Sequence, residues 1–178
     1  MSVSCEIIQL KAGQAEPYVD ALGAVLHACV AGGASVGFVM PFTQADAQAY
    51  WRLKVLPALS GGGLSLLAAR QGGAIVGTAQ LDCAAMPNQQ HRADVCKVLV
   101  HPEHRRQGIA RALMIEVEHL ARDAGRTLLT LDTRTGDAAQ SLYAGLGYQA
   151  AGVIPGYARD AYDASRLDAT TYMYKALA

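Results

Sequence analysis

Residues 101 to 111 hold the densest chemistry in the chain, reading His101-Pro102-Glu103-His104-Arg105-Arg106-Gln107-Gly108-Ile109-Ala110-Arg111. Three arginines flank a glycine turn. Behind it, apolar residues recur at helical spacing at Ile109, Leu113, Val117 and Leu120. A helix that opens on a tight turn leaves its first amides unpaired. Its macrodipole adds partial positive charge at the same end. Residue types and spacing therefore describe an anion site suited to phosphate groups. Beyond it, Tyr143 offers a hydroxyl that keeps its proton at neutral pH, and Asp94 and Asp132 place a carboxylate on each of two strand patterns.

The elements that position these groups follow from pattern. Asp94 to Val100 is β-branched and apolar and reads as a buried strand that Pro102 stops. Ile109 to Ala124 is the helix, Thr127 to Thr133 the next strand and Asp137 to Leu146 the next helix. Strand, helix and strand in that order imply a right-handed parallel crossover. Upstream, Leu64–Arg70 and Ala74–Leu81 flank Gln71-Gly72-Gly73 as a hairpin. Glu6 to Leu10 forms a short first strand. Residues 15 to 31 carry a helix, and Thr43 caps another that runs through Trp51 to Leu59. Gln149–Ile154 and Thr171–Leu177 are the last strands, joined by a loop over 155 to 169. The sum is an α/β fold, a mixed central sheet with helices on both faces.

Two segments resemble a known family. Arg105, Gly108 and Ala110 match the Gln/Arg-x-x-Gly-x-Gly/Ala signature of the GNAT acyltransferases. Leu131-Asp132-Thr133 followed by Ala139-x-x-Leu142-Tyr143-x-x-Leu146-Gly147-Tyr148 is similar to that family's second motif. The resemblance covers about residues 93 to 154. It implies a single domain over 1 to 178, a mostly antiparallel sheet with one splayed parallel pair, and acetyl-CoA as cosubstrate. The cofactor would lie on that core, with acceptor-binding helices at about 15 to 59. The GASVGF loop and the IPGYA segment are further similar to the tabtoxin-resistance branch, whose members acylate a small amino-acid-like β-lactam.

The resemblance also suggests roles. The amides of Gln107 to Ala110, with Arg105, Arg106 and Arg111, would hold the pyrophosphate. The backbone of Val98, Leu99 and Val100 would pair with the pantetheine arm. Tyr143 and Ala139 lie on the helix face toward that arm. Gly136 stands where the family often has an asparagine, which leaves only backbone for that contact. Tyr143 is the candidate acid for a departing thiolate, the alternative being a core tyrosine bonded to a carbonyl. Asp94 shares a strand face with Cys96, Val98 and Val100 on a strict alternation, and Asp132 faces the same gap. Both are candidates to attract and deprotonate a cationic amine. The alternatives pair Asp94 with Arg92 and use Asp132 to cap the next loop. Ser35, Phe38 and Trp51 are candidate acceptor contacts.

Composition excludes other classes. Lys plus Arg and Asp plus Glu number 15 each, and such a balance lacks the basic face of a nucleic-acid binder. No stretch has the roughly 18 apolar residues that span a bilayer. MSVSCEIIQL lacks the basic lead of a signal peptide. Cys5, Cys29, Cys83 and Cys96 are too scattered for a disulfide or zinc framework and read as reduced thiols of a cytoplasmic protein. His101 and His104 lack a third ligand at metal-binding spacing. The expected partner is a small-molecule amine, with neither nucleic acid nor membrane, and the expected state is a monomer or homodimer.

Overall fold

The computed structural model describes residues 5 to 177, so the first four residues of the opening segment lie outside it. Seven strands form one sheet: β1 (Cys5–Leu10), β2 (Leu64–Gln71), β3 (Ala74–Cys83), β4 (Arg92–Val100), β5 (Leu128–Arg134), β6 (Gln149–Arg159) and β7 (Leu167–Ala176). Their spatial order is β1-β2-β3-β4-β5-β7-β6, and every neighbouring pair is antiparallel except β4 with β5. The expected hairpin joins β2 to β3 through Gly72 and Gly73, whose φ of 58° and 86° suit a primed two-residue turn.

Helices cover both faces. On one side α1 (Val19–Ala31), α2 (Gln44–Tyr50), α3 (Leu56–Ser60) and the turn between the last two bury Leu22, Leu26, Trp51 and Leu59 against Leu66, Ala68 and Leu99 of the sheet. On the other, α4 (Ile109–Asp123) and α5 (Ala138–Ala144) bury Leu113, Met114, Val117 and Tyr143 against Leu81, Val95, Leu129, Leu131 and Met173. Thr43 caps α2 as expected, its hydroxyl accepting from the Asp46 amide at 3.1 Å while Asp46 returns a bond to the Thr43 amide.

Two expectations change here. The single helix through Trp51 is broken by a widened π turn over Trp51–Val55 before α3. Pro57 follows at once, has no amide to give back and crowds the preceding turn, which the wider turn relieves. The loop expected over 155 to 169 is mostly strand. β6 runs to Arg159 and β7 starts at Leu167, leaving a connection of only residues 160 to 166. β6 is the outer strand and its register shifts between Ile154 and Ala158. An edge with such an irregularity tolerates Pro155, which a central strand would not.

Candidate active site

The parallel pair sets the site. β4 and β5 are in register only from Arg92 to Asp94 against Leu128 to Thr130. Beyond that they part, and the edge groups of β4 that would have faced β5 are left to the gap. The gap opens a cleft of about 890 Å³ between α4, α5, the α1–α2 loop and the β6–β7 hairpin. Its size falls in the range of small-molecule sites.

At one end the α4 N-terminus supplies the anion site. Gly108 has φ 81° and Arg106 φ 62°, two left-handed residues that curl the loop. Such turns gather amides into an anion-binding concavity. Ala112 is the first amide to bond back, to the Gly108 carbonyl at 3.0 Å, so those of Ile109, Ala110 and Arg111 remain available. Arg105, Arg106, Gly108, Ile109, Ala110 and Arg111 all line the cleft. Gln107 does not. Its side chain accepts from Gln71 Nε2 at 3.1 Å, and Gln71 also meets His104 Nδ1 at 2.8 Å, tethering the loop to β2. These features fit a phosphate-bearing cofactor such as acetyl-CoA.

Several expected contacts are revised. The Arg105 Nε donates to the Val100 carbonyl at 3.2 Å, and the Cys29 thiol lies 3.4 Å from the same oxygen. That carbonyl is thus engaged, and the arm's pairing falls to other groups of Val98, Leu99 and Val100. The Gly136 amide is also spent, donating to Gln140 Oε1 at 2.8 Å, and Gly136 does not line the cleft although Ala138 and Ala139 do. Trp51 is fully buried in the core under α1. It stands one helical turn beyond the buried Ala47, on the face packed into the core, so it does not meet an acceptor. Ser35 lines the cleft but Phe38 does not; its ring meets Phe42 at a tilt and Tyr50 edge-on, with centroids at 4.6 and 5.3 Å.

The strict alternation expected along β4 also fails. Thr78 pairs with Leu99 but Gln80 with Cys96, so Lys97 and Val98 share the space opposite Ala79. Lys97 takes φ 49°. This bulge reverses the faces: Ala93 and Val95 point to α4 before it, Val98 and Val100 after it, and Leu99 turns to α1. Asp94 and Cys96 therefore lie on the opposite side of the strand from Val98 and Val100.

Tyr143 lines the cleft, and its hydroxyl has no hydrogen-bond partner among the described residues. Burial, reinforced by the charge of Asp132, pushes this phenol up to about 12. Asp132 also lines the cleft, and Thr170 Oγ1 sits 2.9 Å from both its Oδ2 and the Thr133 carbonyl. It caps nothing, since Asp137 begins α5 instead. Asp94 is set back: Arg92 Nη1 reaches both its oxygens at 2.7 and 2.8 Å, and Thr130 Oγ1 donates to it as well.

The sequence reading missed two residues. Asp82 stands opposite Asp94 in the β3–β4 register. Partial burial, with the charge of Asp94, raises it above the usual carboxylate range. It lines a second cavity of about 370 Å³ with Tyr50, Lys54, Gln80 and Cys96. Cys96 borders both cavities. Lys97 is the other, and its signal was a lone charge inside the apolar run VCKVLV.

A parted parallel pair, a helix N-terminus at its mouth and a buried phenol within define an acyl-CoA type of transferase cleft. Residues 30–148 match the acetyltransferase (GNAT) family model, and the chain belongs to that family of acetyl-CoA-dependent N-acetyltransferases. It is 34% identical over 128 residues to an Azospirillum brasilense protein described as an uncharacterized N-acetyltransferase in the hisH-hisA intergenic region, covering 70% of this chain and 71% of that one. It is 37% identical over 90 residues to N-acetyltransferase 8F1 of Rattus norvegicus, which covers 49% of this chain but spans only 41% of the rat protein. Two solved structures share the fold. A ribosomal-protein-alanine N-acetyltransferase from Brucella melitensis superposes with TM-score 0.78 at 22% identity, covering 97% of this chain and 99% of that one. The Salmonella typhimurium protein yncA, solved with its cofactor acetyl-CoA, gives 0.76 at 18%, covering 98% and 94%. No described helix is long and apolar enough to cross a membrane.

Proposed function

We propose that this protein acetylates the primary amine of a small molecule by direct transfer within a ternary complex. The observation that carries the reading is the joint presence of the α4 anion site, the Tyr143 hydroxyl and the Asp132 carboxylate in one cleft. Bound acetyl-CoA supplies an activated acetyl thioester. The amides of Ile109 to Arg111 and the guanidinium groups of Arg105, Arg106 and Arg111 hold its phosphates. The gap edge of β4, from Val98 to Leu99, orients its arm. Asp132, with Asp94 behind it, draws in a cationic amine and receives its proton, directly or through water. Tyr143 holds a proton at Oη through neutral pH and gives it to the released sulfur. Positioning two reactants in one cleft contributes much of such a rate.

The free state of all four cysteines accords with action in the cytoplasm. The test is calorimetric titration with acetyl-CoA of the protein and its Arg105→Ala/Arg106→Ala variant, followed by thiol release against an amine and peptide panel. Micromolar binding that weakens at least tenfold in the variant, with turnover of small amines over peptides, supports the reading. No binding at millimolar acetyl-CoA overturns it.

A further inference from the structure

Among the described residues Lys97 is a cation without an ionic partner, and it lines the main cleft beside Asp132. It interrupts the apolar run of β4 and sits at the bulge with φ 49°, a conformation that residues with a Cβ rarely adopt. Its ammonium lies 5.6 Å from the Tyr50 ring and 5.9 Å from the Phe38 ring. That aromatic notch holds the charge by cation–π attraction. No carboxylate among the described residues lies within 4.0 Å of it, although it lines the main cleft.

Its neighbour Cys96 shows what surrounds it. Burial, the dominant cause, pushes that thiol up to about 11; Lys97 pulls it down, while Asp82, Asp94 and Asp132 push it up. One cation and three carboxylates thus act on a single spot between the two cavities. Backbone strain held in place beside a reaction cleft is a common mark of a working residue. A core-filling role would be met better by an apolar side chain, since an ammonium pays heavily for lost water.

We propose that Lys97 binds an anionic group on the acceptor, so that the acceptor is a compact amine carrying a carboxylate, its ammonium toward Asp132 and its carboxylate on Lys97. The inference rests on the small-amine reading above and narrows it to amino-acid-like acceptors. Lys97 is here a specificity residue and takes no proton.

The test uses the full chain in wild-type, Lys97→Met and Lys97→Arg forms, saturated with CoA for binding and with acetyl-CoA for turnover. The probes are free amino acids with small, acidic and aromatic side chains, each matched to the amine lacking the carboxylate. Binding is read by thermal shift, and acetyl transfer separately by thiol release. At least one amino acid should bind wild type tenfold or more tighter than its matched amine. Lys97→Met should abolish that difference and Lys97→Arg keep it, with CoA affinity unchanged in both. The proposal is overturned if wild type prefers no amino acid over its amine, if Lys97→Met weakens both partners alike, or if it weakens CoA tenfold. Carboxylate-dependent binding without any thiol release would leave Lys97's role standing and reject the small-amine acetylation proposed above instead.

Discussion

Between β3 and β7 the strands turn Leu81, Val95, Leu129, Leu131 and Met173 toward α4, where they are sealed in a core. The same strands turn Gln80, Asp82, Cys96 and Asp132 the other way, into a polar band bordering the two cavities, with Asp94 set back behind it. Alternate residues of one strand thus serve opposite ends, since successive side chains point to opposite faces. The apolar face holds the molecule together and carries little chemistry. The polar face adds little stability, because half-exposed charges in water contribute weakly, yet it holds the groups an amine would meet. Tyr143 is the exception that joins them, its ring in the core and its hydroxyl on the cleft.

That division can be broken by mutation. Leu113→Ala, in the α4 core, should cost about 2–5 kcal/mol of stability in urea unfolding. A cost under about 1 kcal/mol would mean the face is loosely packed. Tyr143→Phe should lower kcat at least about 10²-fold, about 2.7 kcal/mol of barrier, while unfolding hardly changes. Because that phenol lies at about 12, it stays protonated through the usual assay range. A fall in kcat between pH 8 and 10 that vanishes in Tyr143→Phe would contradict this.

Smaller effects separate the two ends of the cleft. Gly108→Ala places a Cβ on a left-handed residue, a strain of about 1–2 kcal/mol. Acetyl-CoA affinity should weaken about tenfold by calorimetry, with the amine KM unchanged at saturating cofactor. Asp132→Asn should show the reverse, an amine KM raised several-fold and unaltered acetyl-CoA binding. If it weakens acetyl-CoA instead, the carboxylate belongs to the cofactor end.

The smallest effect concerns the β6–β7 tip. The amides of Tyr162 and Asp163 donate to Asp160 Oδ1 at 2.9 and 3.0 Å and hold that carboxyl below its ordinary range. A depressed folded value means stability that is present above the unfolded carboxylate range and lost as pH falls through the folded value. Asp160→Asn should therefore be slightly less stable than wild type at pH 7, with the gap closing in strong acid. Equal stability at both pH values would remove the cap.

What could be read from sequence followed the range of the interactions. The anion loop and α4 were legible because turn, glycine and helix lie within about twenty residues. The hairpin at Gly72-Gly73 was legible for the same reason. The bulge at Lys97 was not, because alternation assumes an unbroken period of two and the extra residue is specified by the register with β3. Trp51 was misplaced because it lies one turn beyond Ala47 on the face that packs under α1, which only the tertiary arrangement assigns to the core. Asp82 escaped notice because only strand pairing brings it opposite Asp94. Gln149 to Arg159 was cut short because Pro155 and Gly156 read as loop, and only an edge position admits them.

One wall of the cleft is assembled across the whole chain. Arg134 donates to the Gly33 carbonyl at 3.2 Å and pairs with Asp137 and Asp168 at 3.1 and 3.4 Å. The Tyr162 hydroxyl bonds to the Ala31 carbonyl, and the Met40 amide donates to the Ala161 carbonyl at 2.7 Å. The stretch from β4 to α5, by contrast, is nearly contiguous. During synthesis that unit can leave the ribosome with its anion loop complete while residues 31 to 40 still wait for residues 160 to 168, because contacts of long sequence separation close late. Recognition of the acceptor is then the last property the growing chain acquires.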